Sequence, residues 1–170
     1  MNTPSSSLIH HQLSLCLYSP RIAANVGTIG RLCAATSTHL QIIRPIPFTF
    51  TDQSLKRSGM DYWEHVDKTV HNTFQDFMAA NAERKIWLFT THGKRPYWDA
   101  EFSPSDVLMF GNEPHGVTDE IRNAIPREQH LLVPMPSENG RSLNLATTTG
   151  IALYEALRQI TKNNPGTQSE

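Results

Sequence analysis

The sequence predicts an α/β fold with a mostly parallel sheet and flanking helices. Two observations carry that prediction. Short apolar strands and helical segments alternate down the chain, and the polar, glycine-containing loops cluster after the strands. On such a sheet the carboxyl ends of the strands are where ligands bind.

The elements follow in order. Residues 12–19 (QLSLCLYS) alternate and stop at Pro20, which reads as a strand. Residues 26–36 (VGTIGRLCAAT) place Ile29, Leu32 and Cys33 at helical spacing, with Asn25 expected as the N-cap. A short strand at 40–45 (LQIIRP) ends at Pro45, and 52–63 (DQSLKRSGMDYW) predicts a short helix with a turn at Gly59. Residues 73–82 (TFQDFMAANA) are amphipathic and helical. Buried strands are expected at 85–91 (KIWLFTT) and 106–111 (DVLMFG). A helix at 118–125 opens on Thr118 and closes before Pro126, a strand follows at 130–135 (HLLVPM), and 143–160 form a long closing helix.

Bulk properties narrow the function classes. The 170 residues suit one domain, expected over 12–162, with a disordered leader at 1–11 and a flexible tail at 163–170. Apolar runs stay far below the roughly 20 residues of a membrane span. The N-terminus lacks the basic start and apolar block of a secretion signal, so a cytoplasmic location is expected. Cys16 and Cys33 have no metal spacing and read as buried free thiols. The eight histidines form no ligand motif, so no metal is expected. A net charge of −1 removes any overall basic footprint, leaving room only for a local one. Arg21, Arg44, Lys56, Arg57, Lys94 and Arg95 fall in or near the loops in question. Tyr62, Trp63 and Trp98 are aromatics that either pack in the core or stack an unpaired base.

Three stretches carry chemistry. Asn25, Gly27 and Arg31 form N-x-G-x-x-x-R at the start of the first helix. Phe110, Gly111, Glu113 and Gly116 form F-G-x-E-x-x-G after a buried strand; glycines there let backbone approach a ligand. Residues 141–145 (RSLNL) open the closing helix, where Ser142 or Asn144 either caps the helix or meets a polar ligand. Neither the dinucleotide glycine fingerprint nor a phosphate loop is present.

In this order the three stretches resemble the signature motifs of the SPOUT superfamily of RNA methyltransferases. Residues 31–36 (RLCAAT), 54–63 (SLKRSGMDYW) and 152–159 (ALYEALRQ) further resemble its TrmL-type members, the tRNA wobble-nucleotide 2′-O-methyltransferases. The resemblance spans 13–159. It implies a homodimer, a C-terminal deep trefoil knot, S-adenosylmethionine as cofactor and the anticodon stem-loop of tRNA as substrate. The methyl acceptor would be the ribose 2′-hydroxyl of a cytidine or modified uridine. It also implies that Phe89, Thr90, Gly111, Glu113, Val133, Met135, Ser142 and Asn144 hold the cofactor. Arg31, Asn25, Glu113, Ser142 and Asn144 would serve catalysis, and Arg21, Lys56, Arg57 and Tyr154 would contact RNA. His115 and the loop before Arg141 depart from the family pattern. The alternatives are a ribosomal-RNA ribose methyltransferase and a knotted RNA-binding module without activity.

Overall fold

The computed structural model describes residues 10–49, 62–137 and 141–163. The strands are β1 (Ser14–Tyr18), β2 (His39–Ile43), β3 (Lys68–His71), β4 (Ile86–Phe89), β5 (Arg95–Pro96), β6 (Val107–Phe110) and β7 (His130–Leu132). They form one sheet in the order β3-β2-β1-β6-β4-β7-β5, and every pairing is parallel. The helices are α1 (Ala23–Thr36), α2 (Phe74–Ala80), α3 (Asp119–Ala124) and α4 (Leu145–Asn163).

The strand sequences dictate cover on both faces. Leu15, Leu17, Leu40, Ile42, Trp87, Phe89, Leu108 and Phe110 point to one side, where α1 and α4 pack. Cys16, Ile43, Ile86, Leu88, Val107 and Met109 point to the other, under α2 and α3. Such doubly buried strands read as unbroken apolar runs. Burial pushes the Cys33 thiol up to about 12 and raises that of Cys16, so both are free and inert. A Cβ on Gly30 of α1 would stand 2.7 Å from the Trp63 ring, so the bare backbone is what admits this indole to the core.

Two edge strands went unread in the sequence. Three of the four residues of β3 are polar and β5 is two residues long, and an edge strand is defined by its pairing partner more than by apolar pattern. Of the helix expected at 52–63 only Tyr62 and Trp63 are described, Trp63 opening a 3₁₀ turn (Trp63–His65). Its remainder, with Lys56, Arg57 and Gly59, lies outside the described residues, as do residues 1–9 of the leader and 164–170 of the tail. The helix at 118–125 is capped by the Thr118 hydroxyl, which accepts from the Ile121 amide. Asn25 does not cap α1. The helix begins three residues earlier, after Ile22, where a carboxylate from another loop accepts from the Arg21 and Ile22 amides just ahead of the first turn.

Beneath α2 lies a buried amide cluster. Gln41 Nε2 donates to Asn81 Oδ1 at 3.0 Å, Asn81 Nδ2 donates to Gln41 Oε1 at 2.9 Å, and His71 Nε2 stands 2.8 Å from the same oxygen. Since that oxygen can only accept, His71 carries a proton on Nε2. Burial lowers its pKa, with Asp76 opposing and His39 adding to the shift. A depressed imidazole contributes stability that is full above about pH 6.5 and lost as pH falls through the folded value. Urea unfolding from pH 8 to pH 5 is therefore expected to show a decline below about pH 6.5 that His71→Gln flattens. Asn81→Ala should remove about 2 kcal/mol at every pH, because it leaves the buried Gln41 Nε2 donor without its acceptor.

Candidate active site

β1 leads to β2 and β3 on one side, while β6, β4 and β7 lie on the other, so the strand order reverses beside β1. A cavity of about 720 Å³ opens beside this reversal, at the carboxyl ends of β6, β4 and β7. Phe89 and Phe110, the last residues of β4 and β6, stack at 4.9 Å and form part of its wall. Ile22 and Asn25 contribute from the start of α1, and Leu132 and Val133 from the end of β7.

The second motif folds as a tight loop. The Asn112 and Gly116 amides donate to each other's carbonyls at 2.9 Å, and the Asn112 side chain accepts from the His115 amide. Gly116 has φ +69, and a Cβ on Gly111 would lie 2.3 Å from the Gly116 carbonyl carbon. Only glycine satisfies both places.

This loop aims Glu113 at the first motif. Its carboxylate accepts from the Arg21 amide at 2.8 Å, the Ile22 amide at 3.2 Å and Asn25 Nδ2 at 3.0 Å. It thus takes over donors at the start of α1, where the helix dipole favours an anion. Burial alone would raise the Glu113 pKa. The hydrogen bonds from Asn25, Arg21, its own amide and Ile22 outweigh that and hold it below the ordinary carboxylate value. Glu113 therefore stays ionised and is spent as a structural anion.

The third motif joins through amides. Asn25 Oδ1 accepts from Asn144 Nδ2 at 2.9 Å, and Asn144 Oδ1 accepts from the Ala146 amide at 2.8 Å and the Thr147 amide at 3.3 Å, capping α4. Each orientation follows from the one before it. A carboxylate can only accept, so Asn25 turns its nitrogen to Glu113 and its oxygen to Asn144. Glu113, Asn25 and Asn144 make one chain of hydrogen bonds across the three stretches.

The cavity wall contains Asn25, Phe89, Thr90, Gly111, Glu113, Val133, Met135, Ser142 and Asn144. It leaves out Arg31, Arg21 and Tyr154. Arg31 is exposed, with its guanidinium carbon 4.9 Å from the centre of the Tyr62 ring, and the Tyr62 hydroxyl donates to the Gly27 carbonyl at 2.6 Å. Six residues separate Arg31 from Asn25, about 9 Å along α1 and on another side of it. Tyr154 is 59% exposed on α4 and Trp98 is 52% exposed, whereas Trp63 is core. Ile22, Thr148, His92 and Arg122 also line the cavity, and no motif marks them. No group of three or more potential metal ligands occurs among the described residues.

Comparison with known proteins agrees with this architecture. The model of the SpoU rRNA Methylase family matches residues 12–154. A tRNA (cytidine(34)-2′-O)-methyltransferase of Methylovorus glucosotrophus is 40% identical over 145 residues, 85% of this chain and 94% of the relative. A solved structure described as "Structural insights into the 2-OH methylation of C/U34 on tRNA" is 40% identical with a TM-score of 0.82, covering 89% of this chain and 98% of that one. An AdoMet-bound rRNA methyltransferase from Sinorhizobium meliloti, 23% identical with a TM-score of 0.77 over 89% of this chain and 58% of its own, shares the fold. With its matched span running from β1 into α4, the chain belongs to the SpoU rRNA Methylase family.

Proposed function

We infer that the chain is an S-adenosylmethionine-dependent tRNA methyltransferase that modifies the ribose 2′-hydroxyl of nucleotide 34. The observation that carries this reading is the hydrogen-bonded closure of the three motifs around one cavity at the strand reversal. Relatives that share most of the chain carry the same activity in their names. A TM-score of 0.77 to an AdoMet-bound enzyme supports the cofactor. The cavity suits it: stacked phenylalanines and Val133 offer an apolar surface to an adenine, and the Gly111 loop exposes backbone. Phe89, Thr90, Gly111, Val133 and Met135 would hold the adenosine part, with Ser142 and Asn144 beside it. When bound, the cofactor supplies an electrophilic methyl group on a sulfonium.

What the protein adds is placement and charge. Methyl transfer to a hydroxyl needs the reacting atoms in line, and a rigid wall provides that alignment. As the new bond forms, the hydroxyl loses its proton and negative charge develops on oxygen. A guanidinium is a donor and no base, so the part of Arg31 is to stabilise that oxygen or grip the adjacent phosphate. Since Arg31 stands away from its own chain's cavity, we place it over the cavity of a second copy in a homodimer, with α1 and α4 at the interface. Ile22, Leu143 and Tyr154, exposed on or beside these helices, support that contact. The C-terminal segment would be threaded as a trefoil knot, a reading supported by α4 returning from edge-side β7 to pack on α1. Arg21, Lys56, Arg57 and Tyr154 would contact the anticodon stem-loop, in the cytoplasm. No described helix is long and apolar enough to cross a membrane.

Ribose-methylation mapping of tRNA incubated with the purified protein and S-adenosylmethionine is expected to give one new stop, at position 34. Modification elsewhere, or of ribosomal RNA instead, overturns the substrate assignment.

Arg31→Ala should lower the single-turnover rate at saturating tRNA by about 100-fold, the usual effect of losing one transition-state donor, while binding of S-adenosylhomocysteine stays unchanged. Arg31→Lys should fall nearly as far, since an ammonium cannot reproduce the planar fork. Mixing inactive Arg31→Ala with inactive Glu113→Ala should restore activity through hybrid dimers. No recovery on mixing would place Arg31 at its own chain's cavity.

A further inference from the structure

The charge inventory of the cavity wall is lopsided. Glu113 is the only acid among the described residues that line it, and that carboxylate already accepts from two backbone amides and Asn25. Arg122 is the only lysine or arginine among the described residues that line it. Arg122 reaches the wall from α3, on the face of the sheet opposite α1 and α4. Its guanidinium is fixed from behind: one terminal nitrogen donates to Asp119 Oδ1 at 2.6 Å, the other to the Val117 carbonyl at 3.3 Å. Its Nε is buried and has no partner. Five N–H donors with two engaged, one of the rest buried and unsatisfied, is an arrangement that calls for an acceptor. Asp119 is 85% exposed and so offsets little of the charge.

We propose that Arg122 is the carboxylate clamp of this site, its guanidinium receiving the α-carboxylate of the amino-acid part of S-adenosylmethionine or of the demethylated product. This rests on the cofactor reading above and deepens it. The α-carboxylate is the one permanently anionic group of that ligand, and Arg122 is the one fixed cation in the wall that meets it. Planar guanidinium and planar carboxylate pair through two parallel hydrogen bonds, which would also fix the direction in which the methionine chain leaves the adenosine. A phosphate of the RNA has related chemistry, so the test separates the two sources.

The experiment compares S-adenosylhomocysteine with its carboxyl methyl ester on the wild type and on Arg122→Met, by calorimetry. The wild type should bind the acid at least tenfold more tightly than the ester. Arg122→Met should bind the acid at least tenfold more weakly than the wild type, bind the ester within twofold of it, and keep its tRNA affinity. Arg122→Gln, which retains a polar head at this helix surface, serves the same comparison if the methionine variant unfolds. Equal weakening of acid and ester, or undiminished binding of the acid, overturns the proposal. A loss confined to tRNA affinity overturns it in favour of an RNA phosphate. If the wild type binds no S-adenosylhomocysteine at all, the cofactor reading falls and takes this inference with it; the other failures leave that reading intact.

Discussion

The site depends on one carboxylate held at the start of one helix. Glu113 meets the amides of Arg21 and Ile22 and the side chain of Asn25, and from that contact the orientation of every following amide is determined. Removing it would free three donors, release the entry of α1 and break the link to Asn144, which caps α4. Helix capping and site assembly are the same hydrogen bonds here. The lowered pKa of Glu113 is the electrostatic signature of that arrangement, because every partner it has is a donor.

This arrangement divides the polar residues of the motifs into two kinds. Glu113, Asn25 and Asn144 satisfy one another and shape the wall. Arg31 lies outside this network against Tyr62, about two turns along the same helix. On the proposed reading the chemistry is therefore split between a hydrogen-bonded cradle and a cation brought by a second copy. An arginine suits that task because its planar head keeps its charge whatever surrounds it.

Much of this was legible from the residues. Doubly buried strands such as 86–89 and 107–110 announce themselves as apolar runs, and the position of their loops predicted where the cavity lies. All eight residues expected to hold the cofactor line that cavity. Caps were legible where the partner is local, as at Thr118. They were not where it is remote: Asn25 has the right chemistry for an N-cap, yet its side chain is taken up by a glutamate 88 positions away and the helix opens earlier, after Ile22. Arg122 was invisible for the same reason. In sequence it is one more charge on a short amphipathic helix, and only the fold turns it toward the cavity. Edge strands β3 and β5 escaped because pairing, not pattern, defines them.

The chain of hydrogen bonds also sets an order of events for a newly made protein. Asn25 to Glu113 closes a sequence separation of 88 residues, and Asn25 to Asn144 one of 119. No fragment ending before Asn144 contains the complete wall. Contacts of this span form late, since the loop between the partners must close before either is rewarded. Competence to bind a ligand thus arrives only when the last helix has docked, and a ligand that binds then stabilises the fully assembled state alone. The cavity acts as a seal on finished folding, in a chain whose N-terminal half leaves the ribosome long before its partners exist.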